Sequence, residues 1–505
     1  MSAFVLNGLI AAPVVLAALT LLVGRRSERG AVRLAAFGGL VVLAWSVWAA
    51  VLSSTALDGS HVDHAWVEEL GIRWHLGLDG ISGPLVLMST VVFACALLAL
   101  VRNAPDCGGT AWLATLLLVI EAGVLGSFLA LDMVLFFAFF EVALIPMWFV
   151  IDQWGDAHGP REEAMRRRAA TRFLVFTVLG SALMLVGFVL VRAEAGTFDI
   201  VEIAAAYQPS GPTAIAAAAL IALGLAVKTP LWPLHIWLPD AHSKAPTVGS
   251  VVLAAVLLKL GTYGFLRYWL PTVDPTWPWL QPVVAGLAVV GIVYAALACL
   301  AQTDLKRLIA YSSVGHMGFV VLAATTFTVG GVQAAVYASV AHGLITGLLF
   351  FLAGAVKDRY GTGDLGRLRS LYGQVPRLGG LVAFAAMASL GLPGLAGFWG
   401  EMLAIRAAVY PAGTLPRETF VLLAVIAALG VILASAYFLA LIRSAVQSGE
   451  TGAAPPEPVV RGDVTAWEWL TWSPLVAATL VFGVAPGLLL TPVAEATVAF
   501  LGGSR

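Results

Sequence analysis

Apolar residues run in blocks along the whole chain, separated by short polar connections. Most blocks reach the length of about 20 residues that a helix needs to cross a bilayer. They predict spans near 3–24, 32–54, 80–102, 111–130, 132–151, 171–191 and 213–239. Seven more follow near 246–269, 278–300, 308–327, 331–356, 377–408, 419–442 and 470–495. Outer-membrane barrels alternate apolar and polar residues over short segments, and no such alternation runs through these blocks. The pattern reads as an all-α polytopic membrane protein with about 14 transmembrane helices. The most polar stretch, SGETGAAPPEPVVRGDVTAWEW (448–469), reads as a Gly/Pro linker before the last span.

Two blocks interrupt themselves. The seventh runs AIAAAALIALGLA and then continues AVKTPLWPLHIWLPDAH, which puts Lys228, Pro230, Pro233 and Asp240 where the span should go on. Proline removes a backbone donor, so this helix has to break just after Lys228. The twelfth contains LGLPGLAGFWGE, with Gly391, Pro393, Gly394 and Gly397. Broken helices at membrane depth are tolerated where they face protein or a water-filled cavity. Matching interruptions in two halves of a chain point to an inverted-repeat transporter with a central site.

Composition agrees. Of 505 residues, 60% are apolar and only 11% charged, against roughly a quarter charged in a soluble domain. The formal net charge of −1 offers no basic surface for nucleic acid. The three cysteines, Cys95, Cys107 and Cys299, are isolated, and neither a dinucleotide fingerprint nor a phosphate-binding loop occurs. Redox chemistry connected with this chain is therefore expected on other chains. Most of the 28 Lys and Arg fall in alternate loops. By the positive-inside rule this puts both termini on the non-cytoplasmic side. The first span lacks a preceding basic region and reads as uncleaved.

Charges within spans cost at least about 2.5–3.5 kcal/mol each and are functional hypotheses by default. Glu141 lies in the fifth span, Lys228 at the break of the seventh, Lys259 in the eighth and Glu401 in the twelfth. His316 (YSSVGHMGF) and His342 (SVAHGLITG) join them. Such a string suits proton relay, because burial disfavours every charged form while a nearby opposite charge restores it. Imidazoles titrate near neutrality without help. The competing readings are structural: ion pairs locking helices for the lysines, a neutralising partner for Glu141, an aqueous-facing position for Glu401, and interhelical hydrogen bonds for the histidines. Asp132 reads as a helix cap. Glu121 stays open. A metal site at His235, Asp240 and His242 is disfavoured, because Pro239 falls among them and no second cluster supports it.

The string Glu141, Lys228-Thr-Pro, HIWLPDAH, Lys259, His316 and Glu401 resembles the antiporter-like membrane subunits of respiratory complex I, relatives of the large subunits of cation/proton antiporters. The resemblance implies fourteen core helices and two inverted five-helix repeats with helices 7 and 12 broken. The chain would divide into N-terminal helices (1–110), a first repeat (111–270), a second repeat (271–445) and a linker with a C-terminal helix (446–505). It implies that Glu141 and Lys228 form a switching charge pair. Lys259 would be the central proton carrier, with His316 and His342 extending the wet axis. Glu401 would pass the proton outward. FMN, iron–sulfur clusters and quinone would be held by partner subunits, and none by this chain. The partners implied are complex I membrane-arm subunits, notably two neighbouring antiporter-like chains, within a bacterial inner membrane. The twelfth-helix charge is generally lysine in this family, and Glu401 marks one branch. The alternatives are a cation/proton antiporter subunit, a membrane-bound hydrogenase subunit, or a non-pumping scaffold of the membrane arm.

Overall fold

The computed structural model describes residues 3–53, 61–105, 107–156, 159–277, 279–447 and 462–501. The expected linker lies largely outside them. Among the described residues, twelve helices are long and apolar enough to cross a membrane. Ala466–Val484 and Gly487–Phe500, bent by 72° at a short break, form a further candidate. Where the twelfth span was expected stand two helices of 14 residues each, Pro376–Ser389 and Ala396–Val409. The chain is a multi-pass helical membrane protein.

The seventh span breaks where its prolines dictate. Gly211–Lys228 ends at the lysine, and Trp237–Lys244 resumes after an irregular stretch. The carbonyl of Val227, which loses its place in the ladder, accepts a hydrogen bond of 3.0 Å from the Trp237 indole. Helix breaks inside a membrane persist only when freed backbone groups are satisfied this way. In the twelfth span, Gly391 and Gly394 take φ of +83° and +93°, a left-handed backbone that ends the first half. Gly397 already belongs to the second half.

Two features were not read from the sequence. The fifth span is interrupted between Met133–Val142 and Leu144–Trp154. Pro146 lacks the N–H that would bond the Val142 carbonyl, so the ladder loosens directly after Glu141. The eighth span carries two wide turns, Leu253–Leu257 and Phe265–Trp269, with π-type bonding.

Within the helical fold, His61–Val67 and Ile72–Gly77 form a small antiparallel hairpin in the connection between the second and third spans. The last helix starts earlier than expected because Thr465 and Glu468 make a capping box. It also does not run straight to 495. Its ladder ends near Pro486, where the chain turns.

The eleventh span, Val329–Tyr360, is buried throughout its apolar window. It packs against the eighth, tenth and twelfth spans and against Ala466–Val484. Through it the two broken halves share one interior. Outside the spans, burial pushes Asp156 up, but Lys306 (2.8 Å) and Lys357 (2.7 Å) outweigh it and hold its carboxyl below the usual range. This triad ties the end of the fifth span to the tenth and eleventh.

Candidate proton-relay site

Lys228 is buried and its ammonium has no hydrogen-bond partner among the described residues. It rests 4.5 Å from the ring centroid of Phe140, the neighbour of Glu141 in sequence. A ring face attracts a cation without fixing it in place. Glu141 is only partly buried, with one carboxylate oxygen enclosed and unpartnered. No ion pair within 4.0 Å joins Glu141 to Lys228 among the described residues, so the two charges stand on adjacent helices with an aromatic ring beside them.

Lys259 is fully buried. Its Nζ lies 2.5 Å from His342 Nδ1 and donates to the Ala254 carbonyl at 2.7 Å. That carbonyl belongs to the wide turn Leu253–Leu257, which carries a five-residue bonding step into the ladder. An ammonium with one carbonyl acceptor and one imidazole acceptor is poised to share its proton with the ring.

His316, on Leu305–Ala324, meets Glu401 through Nδ1 at 2.9 Å and Ser389 through Nε2 at 3.0 Å. Its ring centroid is 5.4 Å from that of His342. Glu401 is buried, not aqueous-facing. A small cavity of about 20 Å³ is lined by His316, His342, Thr346, Ser389 and Glu401. His342 Nε2 and Glu401 Oε2 are both enclosed and have no hydrogen-bond partner among the described residues. The geometry thus brings four of the six singled-out residues into two hydrogen-bonded pairs around one space. Glu141 and Lys228 form a separate group.

Sequence reasoning did not single out Phe140 or Ser389. The run FFAFFE signalled aromatic surroundings for a charge, whereas nothing in MASLGLPG marked its serine. The capping role of Asp132 is seen directly, since its carboxylate accepts from Val134 N and Leu135 N. Glu121 is wholly buried, with neither oxygen partnered among the described residues.

The candidate metal ligands do not gather. Asp240 pairs with Arg172 and Arg307, while His242 stacks on Phe350. Asp63, His75 and Asp199 do bring ligand atoms within 4.8 Å of one another near the hairpin. Arg73 lies among them, bonded to Asp63 and 3.9 Å from Asp199, and so supplies the positive charge there itself.

Known proteins resemble this chain in sequence and fold. Residues 130–429 match the family described as NADH:quinone oxidoreductase/Mrp antiporter, transmembrane. A relative named NADH-quinone oxidoreductase subunit M from Rhodobacter capsulatus is 39% identical, over 85% of this chain and 81% of its own length. A chain in the structure titled respiratory complex I from Thermus thermophilus with bound NADH is 30% identical. It superposes with a TM-score of 0.84 over 99% of this chain and 100% of that one. The fold also matches a chain of the Mrp complex from Dietzia sp. DQ12-45-1b, at 22% identity and a TM-score of 0.83, covering 100% and 98% of the two chains. With that match across its interior and that identity along its length, the chain belongs to the NADH:quinone oxidoreductase/Mrp antiporter transmembrane family, on the branch of the subunit M chains.

Proposed function

We propose that this chain is a proton-translocating membrane-arm subunit of an NADH:quinone oxidoreductase, moving protons while partner subunits carry the redox chemistry. The observation that supports it best is the pair of hydrogen-bonded couples, Lys259–His342 and His316–Glu401, sharing one cavity deep inside the helices. Buried ionisable groups are too costly to keep in a membrane for packing alone. Glu141 and Lys228 act as the control charges. When Lys228 leaves the face of Phe140 toward Glu141, its field on the interior changes, and that shift drives the proton on Lys259 toward His342. From there it reaches His316 and Glu401, and leaves on the non-cytoplasmic side.

FMN, iron–sulfur clusters and quinone belong to partner subunits in this reading. Two antiporter-like chains flank this one in a bacterial inner membrane, and both termini face outward. The glutamate at position 401, where antiporter relatives generally place lysine, favours this reading over cation/proton exchange. A non-pumping scaffold would leave the buried couples without a purpose.

The test is a gentle pull-down of the tagged chain in mild detergent, assayed for NADH-dependent quinone reduction and, in liposomes, for proton pumping. Activity that follows the tag, with pumping lost in Lys259→Ala, is the expected result. A purified complex without NADH-dependent activity moves the chain to an antiporter or hydrogenase. Normal pumping in Lys259→Ala and Glu401→Gln together leaves only the scaffold.

A further inference from the structure

We infer that Ser389 is a positioning residue for proton passage, holding the Nε2 edge of His316 in both charge states of the ring. The inference rests on the proton-relay reading above. It starts from where the hydroxyl stands. Ser389 is the last residue of Pro376–Ser389, directly before the break. Glu401 lies beyond the break, on Ala396–Val409. One imidazole therefore bonds both halves of the broken helix, Ser389 through Nε2 and Glu401 through Nδ1.

A relay histidine has a partner problem that a static one lacks. Neutral imidazole offers one donor and one acceptor, whereas the protonated ring offers two donors. Nδ1–H faces a carboxylate, which accepts in either case. Nε2 has to accept from its neighbour when the ring is neutral and donate to it when the ring is charged. Among side chains a hydroxyl serves both roles by rotating its hydrogen, which neither a methyl group nor a carbonyl can do. Ser389 is buried, so bulk solvent does not stand in for it. Without the hydroxyl, one charge state of His316 leaves a buried nitrogen unpaired, which is costly.

The surroundings give that partner weight. Both His316 nitrogens are occupied, and His342 Nδ1 is engaged with Lys259, so the two rings are not bonded to each other. Protons therefore cross between the couples through the cavity that Ser389 also lines. The ring has to stay aimed at Glu401 during that crossing. On its other side His316 faces a smaller space lined by Ser312 and Tyr437, with Ile292, Ala295 and Ala296 from the ninth span. None of these bonds the ring, and the orientation falls to Ser389 and Glu401.

The experiment compares Ser389→Ala, Ser389→Cys and Ser389→Thr in the tagged complex, with Glu401→Gln as reference. Assembly is read by co-purification of partner chains, and pumping in liposomes is normalised to assembled complex in light and heavy water. Ser389→Ala is expected to lower pumping roughly tenfold, less than the hundredfold or more lost with a proton-transfer group itself because Ser389 only positions the ring, and to raise the solvent isotope effect. Ser389→Thr, which keeps the hydroxyl, is expected to restore both. If Ser389→Ala does not assemble, Ser389→Cys against Ser389→Thr decides, because a thiol is a poor hydrogen-bond partner of similar size. Wild-type pumping in Ser389→Ala or Ser389→Cys, with Glu401→Gln impaired, overturns the role of Ser389 and leaves the proposed function standing. Equal loss in the alanine and threonine variants without an isotope change makes Ser389 a packing residue and also overturns it. Normal pumping in Glu401→Gln as well removes the proton-relay reading itself.

Discussion

Lys259 Nζ and His342 Nδ1 lie 2.5 Å apart on helices from different halves of the chain. Neither residue reaches appreciable solvent. The contact makes the eighth and eleventh spans a single unit for any proton that passes between the halves.

On sequence alone, arginine at position 259 is expected to retain more pumping than alanine, since it keeps a charge in the cavity. The contact with His342 changes that expectation. Arginine stays protonated at all accessible pH values, so it cannot hand a proton to the ring. We expect Lys259→Arg and Lys259→Ala to lose pumping alike, on the order of a hundredfold, as measured in liposomes. An arginine variant that pumps well shows that a fixed charge suffices.

Gly391 takes φ of +83°, and a Cβ added there would lie 3.3 Å from Glu401 Oε2. Gly391→Ala is thus expected to cost about 1–2 kcal/mol from backbone strain and to displace the carboxylate from His316. Thermal unfolding and pumping should both fall. Gly380→Ala, in the helix that precedes the break and with open space around its Cβ, is the control and should do neither.

The Asp156 triad makes a pH-dependent contribution to stability. Its carboxyl is held below the usual range by Lys306 and Lys357. A depressed folded-state pKa stabilises above the unfolded value and loses that contribution as pH falls through the folded one. Asp156→Asn should therefore cost about 2 kcal/mol at neutral pH, typical of a charge-assisted hydrogen bond. The difference from wild type should vanish once the pH drops below the ordinary carboxylate range. Melting curves across pH check this, and a difference that persists in acid contradicts it.

Arg359 grips Glu468 through both guanidinium arms at 2.8 and 3.0 Å and anchors the last helix to the eleventh. Arg359→Ala leaves the buried Glu468 carboxylate without its counter-charge, with Thr465 still donating to it, and should destabilise by about 3–5 kcal/mol. Limited proteolysis after Val464 is expected to release the C-terminal helices faster in this variant. Arg359→Ala with Glu468→Gln should recover part of the loss.

What the sequence determined by itself was whatever depends on local chemistry. Apolar block length fixes that a segment crosses the membrane, because the bilayer has one thickness. Pro230 and Gly391 fix where the seventh and twelfth helices end, because a missing donor or a left-handed backbone acts on its own helix. The charges in the blocks mark the relay candidates, because their burial is costly wherever they point. Tertiary structure alone decided which candidates touch. Lys259 meets His342, not a carboxylate, and Lys228 rests on Phe140, not on Glu141. Ser389 gained its place only when the break turned its hydroxyl onto His316. Such contacts join residues 73 to 88 positions apart. Helical periodicity links neighbours three and four residues apart, and across helices it gives no register.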